Sequence, residues 1–180
     1  MALSSLDCSV SVKASWNATK SLELTTLRDQ GNTSKSVSFT LGTGSTQCDL
    51  LFHDRRIVAA SGTDSIDLNG ALQDAFQDDV DFAKIKAIVI VNRSDEDCSN
   101  PNHSATDAQI KVAPGSSNGF DGPFVGGSSG GVNIDAGSAV SFTSTTGWTV
   151  TADTGDILEI TNNDSEDEAM YDIYILGTSA

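Results

Sequence analysis

Between Ser9 and Trp16 the chain alternates: Val10, Val12, Ala14 and Trp16 share one parity, and Ser9, Ser11, Lys13 and Ser15 share the other. That period of two predicts a strand with one packed face and one wet face. SLELTTLR (21–28) and SVSFTLG (36–42) repeat the pattern more weakly, with the Gly/Asn cluster DQGNTS between them reading as a turn. QCDLLFHDRRIVAASG (47–62) carries apolar residues on both faces around Leu50, Leu51 and Phe52, which predicts one long bent strand or two short ones. In DLNGALQDAFQDD (67–79), Leu68, Leu72, Ala75 and Phe76 fit the spacing of a helical face, so one short helix is expected near 68–77, weakened by Gly70. VDFAKIKAIVIVNRS (80–94) changes parity between Phe82 and Ile85, which predicts a bulge near Ala83–Lys84. Its AIVIV run is apolar at every position and predicts a central strand covered on both sides.

From Asp95 to Gly131 the chain is polar and rich in Gly, Ser and Asn, with strand character only in QIKVA (109–113) and PFV (123–125); a long loop region is expected. Regular alternation returns in GSAVSFTS (137–144), GWTVTA (147–152), DILEITN (156–162) and YDIYILG (171–177). Short strands at intervals of about 8–12 residues predict an all-β fold, a jelly-roll-like antiparallel β-sandwich forming a single domain over residues 1–180. The last two runs flank an acidic knot of Asp164, Glu166, Asp167 and Glu168. Alternation on both sides of the knot predicts a hairpin with the carboxylates at its solvated tip.

Charge narrows the partners. A net charge of −15 argues against a nucleic-acid surface, which needs Lys and Arg, and against docking on anionic lipid. No apolar run approaches the roughly 18 residues of a membrane span. The start MALSSLDCSV has neither a basic nor a continuous apolar region of the kind a secretion signal carries, so folding in the cytoplasm is the expectation. Cys8, Cys48 and Cys98 are far apart and odd in number, and read as packing residues or incidental thiols.

Candidate chemistry is thin. GGSSG (126–130) matches the G-x-S-x-G pattern around Ser128, but no helical pattern follows to hold a nucleophile on a strained turn, and a flexible Gly/Ser loop accounts for the match. His53 and His103 are the only imidazoles, and neither sits in a metal-ligand spacing. The acidic clusters lack the glycine turn and distal Glu of a helix–loop–helix calcium site, though a strand-connecting loop with converging oxygens is a possible calcium ligand. A glycosidase pair would need an aromatic-lined cleft, for which 6% aromatic residues supply little material. No catalytic residue, metal ligand or cofactor is assigned.

FHDRRIVAASGTDSIDLNGALQDAF, VDFAKIKAIVIVNRS and GWTVTADTGDILEITNN with its closing YDIYILG resemble small β-rich structural proteins of tailed-phage virions, over residues 50–92 and 140–177. The resemblance implies a non-enzymatic virion protein, made in the host cytoplasm, of the capsid decoration or cement type, that acts through surfaces as a homo-oligomer on the major capsid protein or other virion proteins. The expected contact patch is Phe52, His53, Arg55 and Arg56, with Trp16 and Trp148 as core or interface anchors. The alternatives are a tail- or fibre-associated protein, with 113–131 as an extended arm, and a calcium-dependent carbohydrate-binding sandwich.

Overall fold

Parity is realised along the chain as an all-β structure, seen in a computed structural model that describes residues 4–99, 101–127 and 130–179. The first strands, β1 (Asp7–Ser21) and β2 (Thr26–Leu41), form a long antiparallel hairpin, and β3 (Gln47–Cys48) joins the end of β2 in parallel. Then come β4 (Leu50–Val58), β5 (Thr63–Asp67), the small hairpin of β6 (Asn69–Gln73) and β7 (Asp79–Asp81), and β8 (Lys84–Asn92). A two-residue pair, β9 (Cys98–Ser99) with β10 (Asn102–His103), precedes β11 (Ile110–Pro114), β12 (Val132–Ile134), β13 (Ala139–Thr149), β14 (Ile157–Asn162) and β15 (Ala169–Thr178).

Eight of these strands make two four-stranded sheets, in the orders β13-β8-β15-β4 and β12-β11-β14-β5. Their pairing is nested: β4 pairs β15, β5 pairs β14, β8 pairs β13 and β11 pairs β12, all antiparallel. The chain therefore runs as one long double-stranded ribbon folded over itself, closed by the pairs β8–β15 and β11–β14. That is a jelly roll. Ile66, Ile110, Val112, Ile134, Leu158 and Ile160 from one sheet meet Phe52, Ile88, Ile90, Tyr171, Ile173 and Ile175 from the other, all buried in one core.

The AIVIV strand is buried on its core side at Ile88 and Ile90 and on its outer side at Ala87, while Val89 and Val91 are half-buried. On the far side of β8 and β15, Ala87 and Leu176 pack against Phe39 and Cys48, with Leu51, Cys8, Val10 and Val37 around them. The base of the β1–β2 hairpin thus lays a third layer over the sandwich. Lys86 fastens it: its buried Nζ donates to the carbonyls of Gly44, Thr145 and Thr146 at 2.9–3.2 Å.

Four local expectations are corrected. Residues 68–77 are not helical: Leu68 and Leu72 share strand parity as well as helical spacing, and Asp74 Oδ1 accepts from the amides of Phe76 and Asp78 to turn β6 into β7. The cluster DQGNTS is strand rather than turn, with Gly31 opposite Trp16, where a Cβ would run into the indole; the reversal lies at Leu22–Thr25 instead. The segment 113–131 is not an extended arm over its described part, because Phe120 and Phe124 are buried and Asn118 O accepts from the amides of Asp156 and Ile157. Finally, the acidic knot is no hairpin tip. Its flanking strands lie in different sheets, so it is a crossover between the two layers.

Two buried asparagines hold the ribbon where it leaves the sheets. Asn92 donates to the carbonyls of Ala108 and Ile134 and accepts from Ser94 N. Asn162, 1% exposed, donates from Nδ2 to the carbonyls of Val58, Ala59 and Asp167, while its Oδ1 accepts from Asp164 N. Replacing a buried, fully paired amide strands its partners, which costs about 2–3 kcal/mol. Asn162→Ala is expected to lose that much in denaturant unfolding, whereas a change indistinguishable from wild type would remove Asn162 as the pin of the crossover.

Candidate functional site

Strand alternation divides the expected contact patch. Phe52 is buried in the core and Arg56 lies on the same side of β4, with its guanidinium over the Phe52 ring at 5.6 Å. Arg56 pairs with Asp54 and Asp64, and Tyr171 Oη donates to Asp64 at 2.7 Å. Burial first, and then the Asp64 carboxylate, push the Tyr171 phenol far up, so it remains a hydrogen-bond donor. His53 and Arg55 point to the other, outer face of the sheet. Trp148 packs half-buried against the core, while Trp16 stands exposed on the β1–β2 hairpin.

On the outer face, Arg55 grips Asp172 with two hydrogen bonds of 2.6 and 2.9 Å, and Arg93 adds a third at 3.2 Å before reaching Glu96. These hydrogen bonds, Arg55's foremost, hold the Asp172 carboxyl below the usual carboxylate range despite its burial. Beside this cluster the surface turns apolar. His53 stacks on Tyr174, with ring centroids 6.1 Å apart, and Leu51, Val89 and Leu176 continue the patch towards Cys8 and Val10 of β1. Together they line a groove of about 410 Å³ along the free edge of β1.

The hairpin itself is amphipathic. Val12, Ala14, Trp16 and Ala18 of β1 share a face with Leu27 of β2, interrupted on that face by Lys20, Asp29, Thr33 and Lys35, with Trp16 Nε1 donating to Asp29 at 3.2 Å; this is the face whose base, Val10, Val37 and Phe39, packs on the sheet. The opposite face is Ser11, Lys13, Ser15, Asn17 and Thr19, paired with Ser36, Ser34, Asn32, Gln30 and Arg28. Beyond the base no described residue covers this face: Val12 is 61% and Leu27 56% exposed, and Leu24 in the turn is 98% exposed. Sequence reasoning placed Val12 and Trp16 on one face but passed over Leu27, which reads as the end of a separate strand until its register with Lys20 is known.

A third grouping is acidic. Asp107, Asp164 and Asp167 bring one carboxylate oxygen each within 4.8 Å of the others. Asp164 is held below the usual carboxylate range by the amides of Asp167 and then Glu166, which its Oδ1 accepts. Asp107 has no counterpart among the clusters visible in the sequence, since it reaches the knot only through the fold. His103 is buried between Glu168 and the Ser94 carbonyl, and Ser128 lies outside the described residues. Burial pushes the Cys48 thiol up to about 11, in keeping with a packing residue.

No protein-family model matches the chain, and no curated protein matches it in sequence. Among solved structures, the crystal structure of the Yersinia pseudotuberculosis-derived mitogen is similar over 73% of this chain and 88% of that one, with 14% identity and a TM-score of 0.34. Likeness at that level carries no argument about function.

The Asp172 cluster gives a defined acid response. A carboxyl depressed in the folded state contributes stability that is fully present above its unfolded pKa of about 3.9 and is lost as pH falls through the folded value. The stability difference between wild type and Asp172→Asn is therefore expected to be constant from pH 7 to about pH 5 and to shrink below about pH 4. Urea unfolding across that range measures it, and a difference that holds steady to strongly acid pH would contradict the assignment.

Proposed function

We propose that this chain is a non-enzymatic structural protein of a tailed-phage virion, a decoration or cement protein that binds and stabilises the major capsid shell. The observation that carries the reading is the β1–β2 arm with its uncovered apolar face. An isolated two-stranded hairpin is marginal in water, so an arm of this length gains from a surface to lie on. A protein that exposes such a surface is built to be covered, which fits assembly better than turnover.

The ionisable groups support the same reading. Asp172 is locked by two arginines, Asp64 by Tyr171 and Arg56, and His103 by Glu168 and a carbonyl, so each has a structural partner rather than an open face towards a substrate. The segments that resemble phage virion proteins build most of the jelly roll, from β4 to β8 and from β13 to β15. Jelly rolls recur in viral shells and in lectin domains alike. The fold is compatible with the proposal and does not select it. Purified protein is expected to co-sediment with empty or expanded shells in a fixed ratio and to raise their melting temperature; absence of co-sedimentation from every shell state would refute the decoration reading.

A second reading, calcium-supported binding of carbohydrate, is favoured by the convergence of Asp107, Asp164 and Asp167. Three carboxylates fall short of the six to eight oxygens calcium takes, and backbone carbonyls or waters would have to complete the set. On the first reading the melting temperature of the free protein is the same in millimolar calcium and in chelator. A calcium-dependent rise that disappears in Asp107→Asn would establish the calcium site that the second reading needs.

A further inference from the structure

The arm and the groove are two exposed apolar surfaces among the described residues, and they are chemically matched. At its base the arm's apolar face already seats on this sheet: Val10, Val37 and Phe39 pack over Leu51, Ala87 and Leu176. The same stripe continues outward as Val12, Ala14, Trp16 and Leu27, and the same sheet face continues sideways as Val89, Tyr174 and His53. The arm is a continuous ladder of fifteen residue pairs, about 50 Å long; Ser11, Val12 and Lys13 still lie beside Val89, while Trp16 and Leu27 further out are exposed.

Charge is divided in the same way. Residues 11–36 hold four of the ten Lys and Arg residues but two of the 25 Asp and Glu, so the arm carries +2 and the rest of the chain −17. Two bodies repel each other, whereas an arm is drawn to a body.

We infer that the partner of the arm is a second copy of this chain: residues 11–36 of one copy lie across the neighbour, with Trp16 and Leu27 over the groove formed by Leu51, His53, Val89 and Tyr174. Because each copy has one arm and one groove, reciprocal exchange closes a twofold dimer, and onward exchange closes a ring. The free edge of β1 beside the groove offers the incoming strand a backbone to pair with. The inference goes beyond the virion reading and stands without it, since self-association is measured with no shell present.

Sedimentation velocity of the full chain tests this with two complementary variants, each first checked for wild-type circular dichroism. Trp16→Asp with Leu27→Asp spoils the arm, and Tyr174→Lys spoils the groove. Wild type is expected to sediment as an oligomer that weakens with added salt, and each variant to associate at least about tenfold more weakly, the loss of a buried aromatic anchor. An equimolar mixture of the two variants is expected to recover mixed dimers, because the intact arm of one meets the intact groove of the other. Asn17→Asp, on the polar face, is expected to assemble as wild type. A monomeric wild type overturns the inference. So does a Tyr174→Lys variant that assembles normally, which would mean arm against arm, or a mixture that shows no recovery.

Discussion

The structure depends on one strand being covered on both faces. Within β15 every residue except Tyr174 is buried, with Tyr171, Ile173 and Ile175 in the sandwich core and Leu176 on the opposite side. A strand of this kind sits at the middle of a sheet and needs an apolar layer above and below it. The jelly roll supplies one layer, through the sheet that contains β11 and β14. The other has to come from outside the ribbon, and the base of the β1–β2 hairpin supplies it with Phe39, Val10 and Val37. The arm is therefore rooted in the hydrophobic requirement of the central strands, and Lys86 ties that root to β13 through three carbonyls. Where the third layer stops, Tyr174 emerges.

This explains which parts of the fold were legible in the sequence. Parity alone identified the core of β14 and β15, because Leu158, Ile160, Ile173 and Ile175 are all buried where alternation puts them. The two-sided burial of β8 followed from AIVIV. What failed was pairing. A strand that alternates cannot announce its neighbour, so DILEITN and YDIYILG read as a hairpin although they belong to opposite sheets. Polar strands were also lost: β5 has Ile66 as its one apolar core residue, and β12 is three residues long. Near Leu68 and Leu72 the helical and strand periods coincide, and Gly70 at φ 147°, at the irregularity in the β6–β7 pairing, is a conformation that no α-helix contains.

The candidate surface was legible in part for the same reason. His53, Arg55 and Tyr174 sit together on the outer face because residues two apart on β4 share a side and β15 brings Tyr174 opposite His53. Phe52 and Arg56, one residue out of step, go inward. Phe52, His53, Arg55 and Arg56 fall on both parities of one strand, so they cannot form one patch. The arm was the harder case, since its apolar face alternates between two strands and becomes visible only when Trp16 is placed opposite Gly31 and Lys20 opposite Leu27.

An exposed amphipathic hairpin is a hazard as well as an opportunity, because free edges and apolar stripes pair with whatever they meet. Here Lys13, Lys20, Arg28 and Lys35 are spread along the arm, and charged residues on an edge discourage indiscriminate pairing. The acidic body works in the same direction. Like-charged bodies disfavour every approach between copies that sets body against body, and they leave attractive those approaches that bring a basic arm to a body of net negative charge. Repulsion that removes wrong geometries contributes to specificity as much as contacts that favour the right one. On this argument the large negative charge of the chain is part of the recognition, and its role is to leave the arm as the one favourable way for another surface to approach.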